Sequence, residues 1–406
     1  MNADTVLVVG CTSASAHGQD QMRRLTAQAA ARGLRLLGVD TPAALDGGGW
    51  RMAADEILPL AYDDEDACRE FAAAHPEVTA VLTLKEGAVL ATALLARALG
   101  LPGNAPEAVR TIRTKDLCRE ALRVAGFTQP RSAVAADLPA AERFLAENGG
   151  SGPWIVKPRD GMGSAGVSLV TSARDLPTAL DALDGVRPFL IEEFVRGEEF
   201  SAEGVMLGGE CRILGLTRKH TGAGFVETGH RMPAGLDAAV DESARAETAR
   251  AVAVAGITHG IVHVEFWVSP EGDVVLGEIH ARPGGDFLHA LVEHTRPGLE
   301  LFGTLLDDLL GRPAAAIPPA AGAAGCDFLV LDPGRVRSVE GWGMLSRSSG
   351  LLAAHLGVWP GDVIGPVTSS ADRHGVLVAG ADGPEGVEEI LAEARGRLDI
   401  VLEAAR

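Results

Sequence analysis

Apolar and polar positions alternate across residues 261–268 (IVHVEFWV), break at Pro270, Glu271, Gly272 and Asp273, and give way to a second apolar run at 274–279. A period of two on one side of a Gly-containing turn, with an apolar run on the other, predicts a β-hairpin. Glu265 and Glu278 then fall on adjacent strands, where they can aim at one point. Near the start, residues 5–10 (TVLVVG) read as a buried strand, 21–32 as an amphipathic helix and 34–40 as a second strand, giving a βαβ opening, and 78–84 adds another strand. A helix is predicted over 115–124, stopping at Gly126, with strand and helix patterns to about 187 and an apolar strand at 189–194. Residues 313–325 (PAAAIPPAAGAAG) read as a Pro/Ala linker before a small third module, and no internal repeat is visible.

The 406 residues suffice for two or three domains. A formal net charge of -19 argues against a nucleic-acid footprint, although a local basic pocket for a phosphate is compatible with it. Five scattered cysteines without CxxC spacing read as reduced thiols. The chain begins without a basic flank and apolar core, and no apolar run reaches the ~18 residues that span a bilayer, so the expectation is a cytoplasmic protein without a membrane partner. A homodimer is the default expectation for oligomeric state.

The pair Glu265 and Glu278, with Arg282 a few residues on, is the donor set a magnesium nucleotide needs: oxygen ligands for a hard ion and a fixed cation for developing negative charge. The same pair on a solvated hairpin face would be purely structural. Residues 154–170 (WIVKPRDGMGSAGVSLV) contain a formal G-x-G-x-x-G at Gly161, Gly163 and Gly166, but strand residues follow where a dinucleotide fold needs a helix. A hairpin with a glycine-rich tip is predicted instead, able to fold over phosphates while Lys157 reaches them from the preceding strand; a mobile surface turn is the plain alternative. The first strand-helix turn, GCTSASAHG, has no phosphate-cradling pattern, so the opening domain reads as a scaffold that contributes substrate contacts at most. Kinase H-R-D and D-F-G signatures and a Walker loop are absent. The segment 189–203 (FLIEEFVRGEEFSAE) suits an adenine edge and ribose hydroxyls, or equally a solvated acidic turn.

Several motifs together, RTKDLCREALRVAGFTQP, VKPRDGMGSAGV, IEEFVRGEEFSAEG, FVETGHRMPA, HVEFW, GEIHARPGGD and the ending with SSADRHGVLVAGAD, resemble the ATP-grasp ligases, and within them the carboxylate-amine and L-amino acid ligases. The likeness covers nearly the whole chain. It implies an α/β ATP-grasp fold: an N-terminal Rossmann-like domain over 1–113, an ATP-grasp domain over 114–312 with a lid at about 128–190, and a C-terminal α+β ligase module over 313–406. By the same resemblance Lys115 and Lys157 hold the ATP phosphates beneath a flap of Gly161, Gly163, Ser164 and Gly166. Glu192, Glu193 and Val195 meet adenine and Glu199 the ribose. Glu265 and Glu278 bind Mg²⁺, with two ions bridged by Glu278 and Mn²⁺ able to substitute. His280 stands where many members carry Asn; Mg²⁺ prefers oxygen, so a ligand role and a role orienting the ligands both stay open. Glu227, His230, Arg282 and Gly285 lie on the substrate side, with Glu86 at the end of VLTLKEG as a further candidate that helix capping explains equally well.

The expected function is an ATP-dependent carboxylate-amine ligase acting on small-molecule substrates, an amino-acid-like carboxylate and an amine, through an acyl phosphate. The alternatives are an ATP-grasp carboxylase, a purine-pathway type of ligase, and a nucleotide-binding regulator without catalysis.

Overall fold

The computed structural model describes residues 3–149, 152–161, 163–313, 315–345 and 348–403. Met162 of the glycine-rich tip and Ala314 of the linker lie outside the described residues.

The opening βαβ pattern forms a four-stranded parallel sheet in the order Glu56–Pro59, Arg35–Asp40, Thr5–Val9, Val78–Thr83. The outer strand Glu56–Pro59 was not expected: it has four residues and no alternation for a period to register. The first helix runs Ala16–Ala30, starting five residues before the apolar periodicity does, because Ser15 caps it by accepting a hydrogen bond from the Gly18 amide. In this sheet the adjacent parallel strands Thr5–Val9 and Val78–Thr83 finish at the same end, and the chain leaving them leads to His17 of the first helix and to Glu86.

A large antiparallel sheet of eight strands forms the centre, in the order Val274–His280, Ile261–Val268, Glu198–Leu207, Glu210–Thr221, Glu227–Met232, Ala323–Leu329, Gly375–Ala381, Leu351–Leu356. The predicted hairpin is its first pair, with Val264 opposite Ile279 and His263 opposite His280. Pleating sorts the two faces. Phe200 and Phe266 are register partners whose rings stack 5.6 Å apart against the helices Pro106–Arg113, Lys115–Val124 and Ala238–Val254. Their odd-numbered neighbours Glu199, Ser201, Glu203, His263 and Glu265 therefore all project from the opposite face.

The region after residue 312 is not a detached module. Strand Ala323–Leu329 pairs with Glu227–Met232, from Gly229 opposite Asp327 to Met232 opposite Ala324, so the central sheet continues through it. The physical reason is an edge that would otherwise be open. Glycine permits the fit: a Cβ on Gly229 would lie 2.7 Å from the Cys326 carbonyl oxygen. Beyond the shared strands, the C-terminal region adds a small sheet ordered Val363–Ile364, Gly334–Glu340, Asp399–Glu403 and the helix Pro384–Arg397.

A second antiparallel sheet, ordered Ser132–Ala135, Phe189–Glu193, Trp154–Pro158, Ser168–Val170, has a core of its own around Leu145, Trp154, Val156 and Phe189. It faces the polar side of the central sheet, and the glycine-rich tip joins Trp154–Pro158 to its partner Ser168–Val170. Among the described residues no helix is long and apolar enough to cross a membrane.

Candidate active site

Between the two sheets lies a cleft of roughly 1040 Å³. Its lining brings together fourteen of the residues singled out in the sequence: Lys115, Lys157, Gly161, Gly163, Ser164, Glu192, Glu193, Val195, Glu199, Glu227, Glu265, Glu278, His280 and Arg282. Gly166, Glu86, His230 and Gly285 lie outside that lining.

Glu265, Glu278 and His280 each present one donor atom, all within 4.8 Å of one another. Two carboxylates and an imidazole at this spacing could hold a divalent cation, the carboxylate oxygens suiting a hard one. The His280 ring has a fixed orientation. Its Nδ1 lies 2.9 Å from Glu86 Oε2, and since a carboxylate accepts, Nδ1 carries the proton and Nε2 faces Glu278 at 3.7 Å. Glu86 Oε2 also accepts from Arg282 Nε at 2.8 Å, which places Glu86 inside the site's network rather than at a helix cap.

The cations come from below and above. Lys115 Nζ is 2.9 Å from Glu278 Oε2 and donates to the Gly161 carbonyl at 2.6 Å, while its backbone amide donates to the Arg159 carbonyl at 2.9 Å. Lys157 Nζ is 2.7 Å from Glu192 Oε1 and 3.7 Å from Glu278 Oε1. Arg119, which the sequence reading passed over, grips Glu192 through Nε at 2.5 Å and through a second nitrogen at 3.1 Å. The Glu192 side chain is thus held by Arg119 and Lys157, and the cleft beside it is lined by Val195 and by the rings of Phe194 and Phe225, whose centroids are 6.0 Å apart. Glu193 pairs with Arg131 at 2.9 Å on the outer side.

Lys219 is the main residue the sequence reading missed. Its side chain is 4 % exposed, and its ammonium lies 2.5 Å from Glu199, 3.0 Å from Glu265 and 3.4 Å from Glu227. Strand register accounts for this: Arg218 is opposite Phe200, so Lys219 shares the face of Glu199. Burial favours the neutral amine, but Glu199, Glu265 and Glu227 outweigh it and raise the lysine well above its usual range. Burial likewise pushes Glu265 and Glu278 upward, and the cations reverse it, Lys219 chiefly at Glu265 and Lys115 at Glu278, so both carboxylates stay ionised.

At the other end of the cleft, His230 is buried behind the wall, with Nε2 3.2 Å from Asp286 Oδ2. Asp286 and Phe287 are consecutive non-glycine residues with φ of 52° and 62°. Arg373 holds Asp286 there with bonds of 2.9 and 2.6 Å to its two oxygens. Gly285 lies against His17 of the N-terminal domain, and Gln21 donates to the Gly284 carbonyl at 2.8 Å. The turn GCTSASAHG, which has no phosphate-cradling motif, therefore packs against Gly284 and Gly285. Glu227 is held by Lys219 and by Ser370, whose hydroxyl donates to Glu227 Oε2 at 2.6 Å. Ser370 and Arg373 belong to the ending quoted for the resemblance, and only the tertiary contacts single them out.

Comparison with known proteins gives the same picture. Residues 151–290 match the family model of the ATP-grasp domain, and 327–403 match that of the L-amino acid ligase C-terminal domain 2. Dapdiamide A synthase of Enterobacter agglomerans is 26% identical over 352 residues, covering 78% of each chain. The fold is that of an L-amino acid ligase from Bacillus licheniformis, with a TM-score of 0.82 at 22% identity over 99% of this chain and 100% of that one. The biotin carboxylase domain of the Hydrogenobacter thermophilus 2-oxoglutarate carboxylase, solved with MgADP and bicarbonate, is also similar, at a TM-score of 0.71 and 15% identity, covering 98% of this chain and 91% of that one.

Proposed function

Because this chain belongs to the ATP-grasp ligases and carries the second C-terminal domain of the L-amino acid ligases, we propose that it joins an amino acid or amino-acid-like carboxylate to an amine, consuming ATP and releasing ADP and phosphate. The observation that carries this is the convergence of Glu265, Glu278 and His280 with Lys115 and Lys157 at one wall of the cleft.

A carboxylate oxygen attacks the γ-phosphorus, the bond to ADP breaks, and an acyl phosphate forms. Lys115 and Lys157 lie on the phosphate side, where they neutralise charge spread over the transferring group. Glu265 and Glu278 would hold Mg²⁺, as two ions, with Mn²⁺ able to substitute, and the metal would supply charge neutralisation on the phosphate oxygens. Glu199 meets the ribose. The amine nitrogen then attacks the acyl carbon and the bond to phosphate breaks. Glu227 holds the incoming ammonium and takes its proton, and Arg282, oriented by Glu86, stabilises the tetrahedral oxyanion. His230 shapes this end indirectly by fixing Asp286, and Gly285 lies at this end beside His17.

The test is Mg²⁺-dependent phosphate release from ATP across single and paired amino acids, with mass spectrometry of products. Release that needs two partners, with a product mass equal to their sum less water, is expected. Release with bicarbonate and no amino acid would replace this reading with the carboxylase one.

A further inference from the structure

Three parts of the chain that are far apart in sequence meet at Ser370. Its hydroxyl donates to Glu227 Oε2 at 2.6 Å, and its backbone amide donates to the Gly163 carbonyl of the glycine-rich tip at 3.3 Å. Its own carbonyl accepts from Arg373 Nε at 2.8 Å, and Arg373 reaches the Glu227 carbonyl at 3.3 Å as well as Asp286. The turn that presents Ser370 is built for rigidity: Asp372 Oδ2 accepts from the amides of Thr368 and Ser369 at 3.0 and 2.8 Å and from both hydroxyls. A second contact ties the tip down nearby, where the Ser164 hydroxyl donates to the Phe225 carbonyl at 3.3 Å, two residues before Glu227.

We propose that Ser370 is a positioning residue for the reaction, coupling the amine-binding carboxylate to the closed flap. The inference rests on the reading of Glu227 given above. With one Glu227 oxygen on Ser370 and the other facing Lys219, the carboxylate is fixed in one orientation toward an incoming ammonium. The same residue anchors the flap that keeps water from an acyl phosphate, so the amine site and the water barrier form as one hydrogen-bonded unit. The bond through the hydroxyl and the bond through the amide have separable consequences.

Ser370→Ala removes only the hydroxyl. It is expected to raise the KM for the amine roughly 10- to 100-fold, the size of a lost hydrogen bond to a charged group, with the KM values for ATP and carboxylate unchanged and one phosphate per amide retained. Ser370→Pro also removes the amide. Ser370 opens the 3-10 turn Ser370–Asp372 after an extended Ser369 with φ -147° and ψ 167°, so proline fits the backbone there. This variant is expected to release several phosphates per amide formed, and Ser370→Thr to restore both properties. Wild-type amine KM and coupling in both Ala and Pro variants overturn the proposal, as does an equal rise in all three KM values. Hydrogen exchange of the peptide over 159–167, measured without substrates, is expected to quicken in the Pro variant and not in the Ala variant; equal exchange overturns the flap anchor whatever turnover shows. A wild-type enzyme that forms no amide overturns the ligase reading instead, and leaves the exchange result to decide the anchor.

Discussion

Lys219 Nζ and Glu265 Oε1 lie 3.0 Å apart in the floor of the cleft, and the same ammonium meets Glu199 and Glu227. One buried cation thus links the residues assigned to ribose, metal and amine. Removing it leaves three carboxylates in a poorly solvated space. Lys219→Met is expected to lower stability by about 3–5 kcal/mol, the usual result of breaking a buried ion pair from one side. Mg²⁺ held at Glu265, as proposed, would bind the native state and restore charge balance there, so it should raise the melting temperature of the variant more than that of the wild type. Thermal melts with and without Mg²⁺ decide this, and an equal Mg²⁺ effect in both proteins counts against Glu265 as a ligand.

Glu278 stands between Lys115 and Lys157 at 2.9 and 3.7 Å. Glu278→Gln keeps the shape and removes the charge that a cation needs. ADP formation should fall by at least about 10³-fold, since charge stabilisation of the transferring phosphoryl supplies most of the acceleration here. Circular dichroism should stay that of the wild type. Turnover within tenfold of the wild type would remove the metal assignment.

The glutamate hairpin was legible because its alternation is local: strands expected at 261–268 and 274–279 form as Ile261–Val268 and Val274–His280. The helix Lys115–Val124 was legible for the same reason, an amphipathic period stopped by Gly126 at φ 83°. Lys219 was not, because nothing in LGLTRKHT distinguishes it from a solvated strand lysine; its burial is set by pairing with Glu198–Leu207. Arg119 looks like any exposed position of a polar helix until Glu192 meets it from 73 residues away. The junction at 313–325 misled for a related reason: composition marks a flexible connection, but whether the next strand completes an existing sheet depends on an edge that only the folded chain presents.

Glu192 gives the acid limb of stability a specific source. Burial would raise its carboxyl, but Arg119 and then Lys157 outweigh burial and bring it down to about 2 from an ordinary 4.5. A folded-state value below the unfolded one means that stability is fully present above pH 4.5 and is lost as pH falls toward 2. The depression corresponds to about 3 kcal/mol. Glu192→Gln should therefore be less stable at pH 7, with Arg119 left buried and uncompensated, yet show a shallower loss between pH 4.5 and 2. Urea midpoints across that range measure the slope, and parallel wild-type and variant curves would contradict the assignment.

A ligand role for His280 would bear on which ion the site prefers. Glu86 holds the Nδ1 proton and turns Nε2 toward Glu278, so with a neutral ring the free lone pair points into the group formed with Glu265. An imidazole nitrogen suits Mn²⁺ better than Mg²⁺, which favours oxygen and near-ideal octahedral geometry. His280→Asn replaces nitrogen with a carboxamide oxygen of shorter reach and releases Glu86 from one of its two donors, leaving Arg282 Nε at 2.8 Å. Activity titrated against each metal should then show a lower half-saturating Mg²⁺ concentration and a smaller advantage for Mn²⁺. If His280 acts only by orienting its neighbours, the loss of its bond to Glu86 should reduce turnover about 10- to 100-fold with both metals and leave their ratio where it was. The ratio, rather than the rate, separates direct ligation from support.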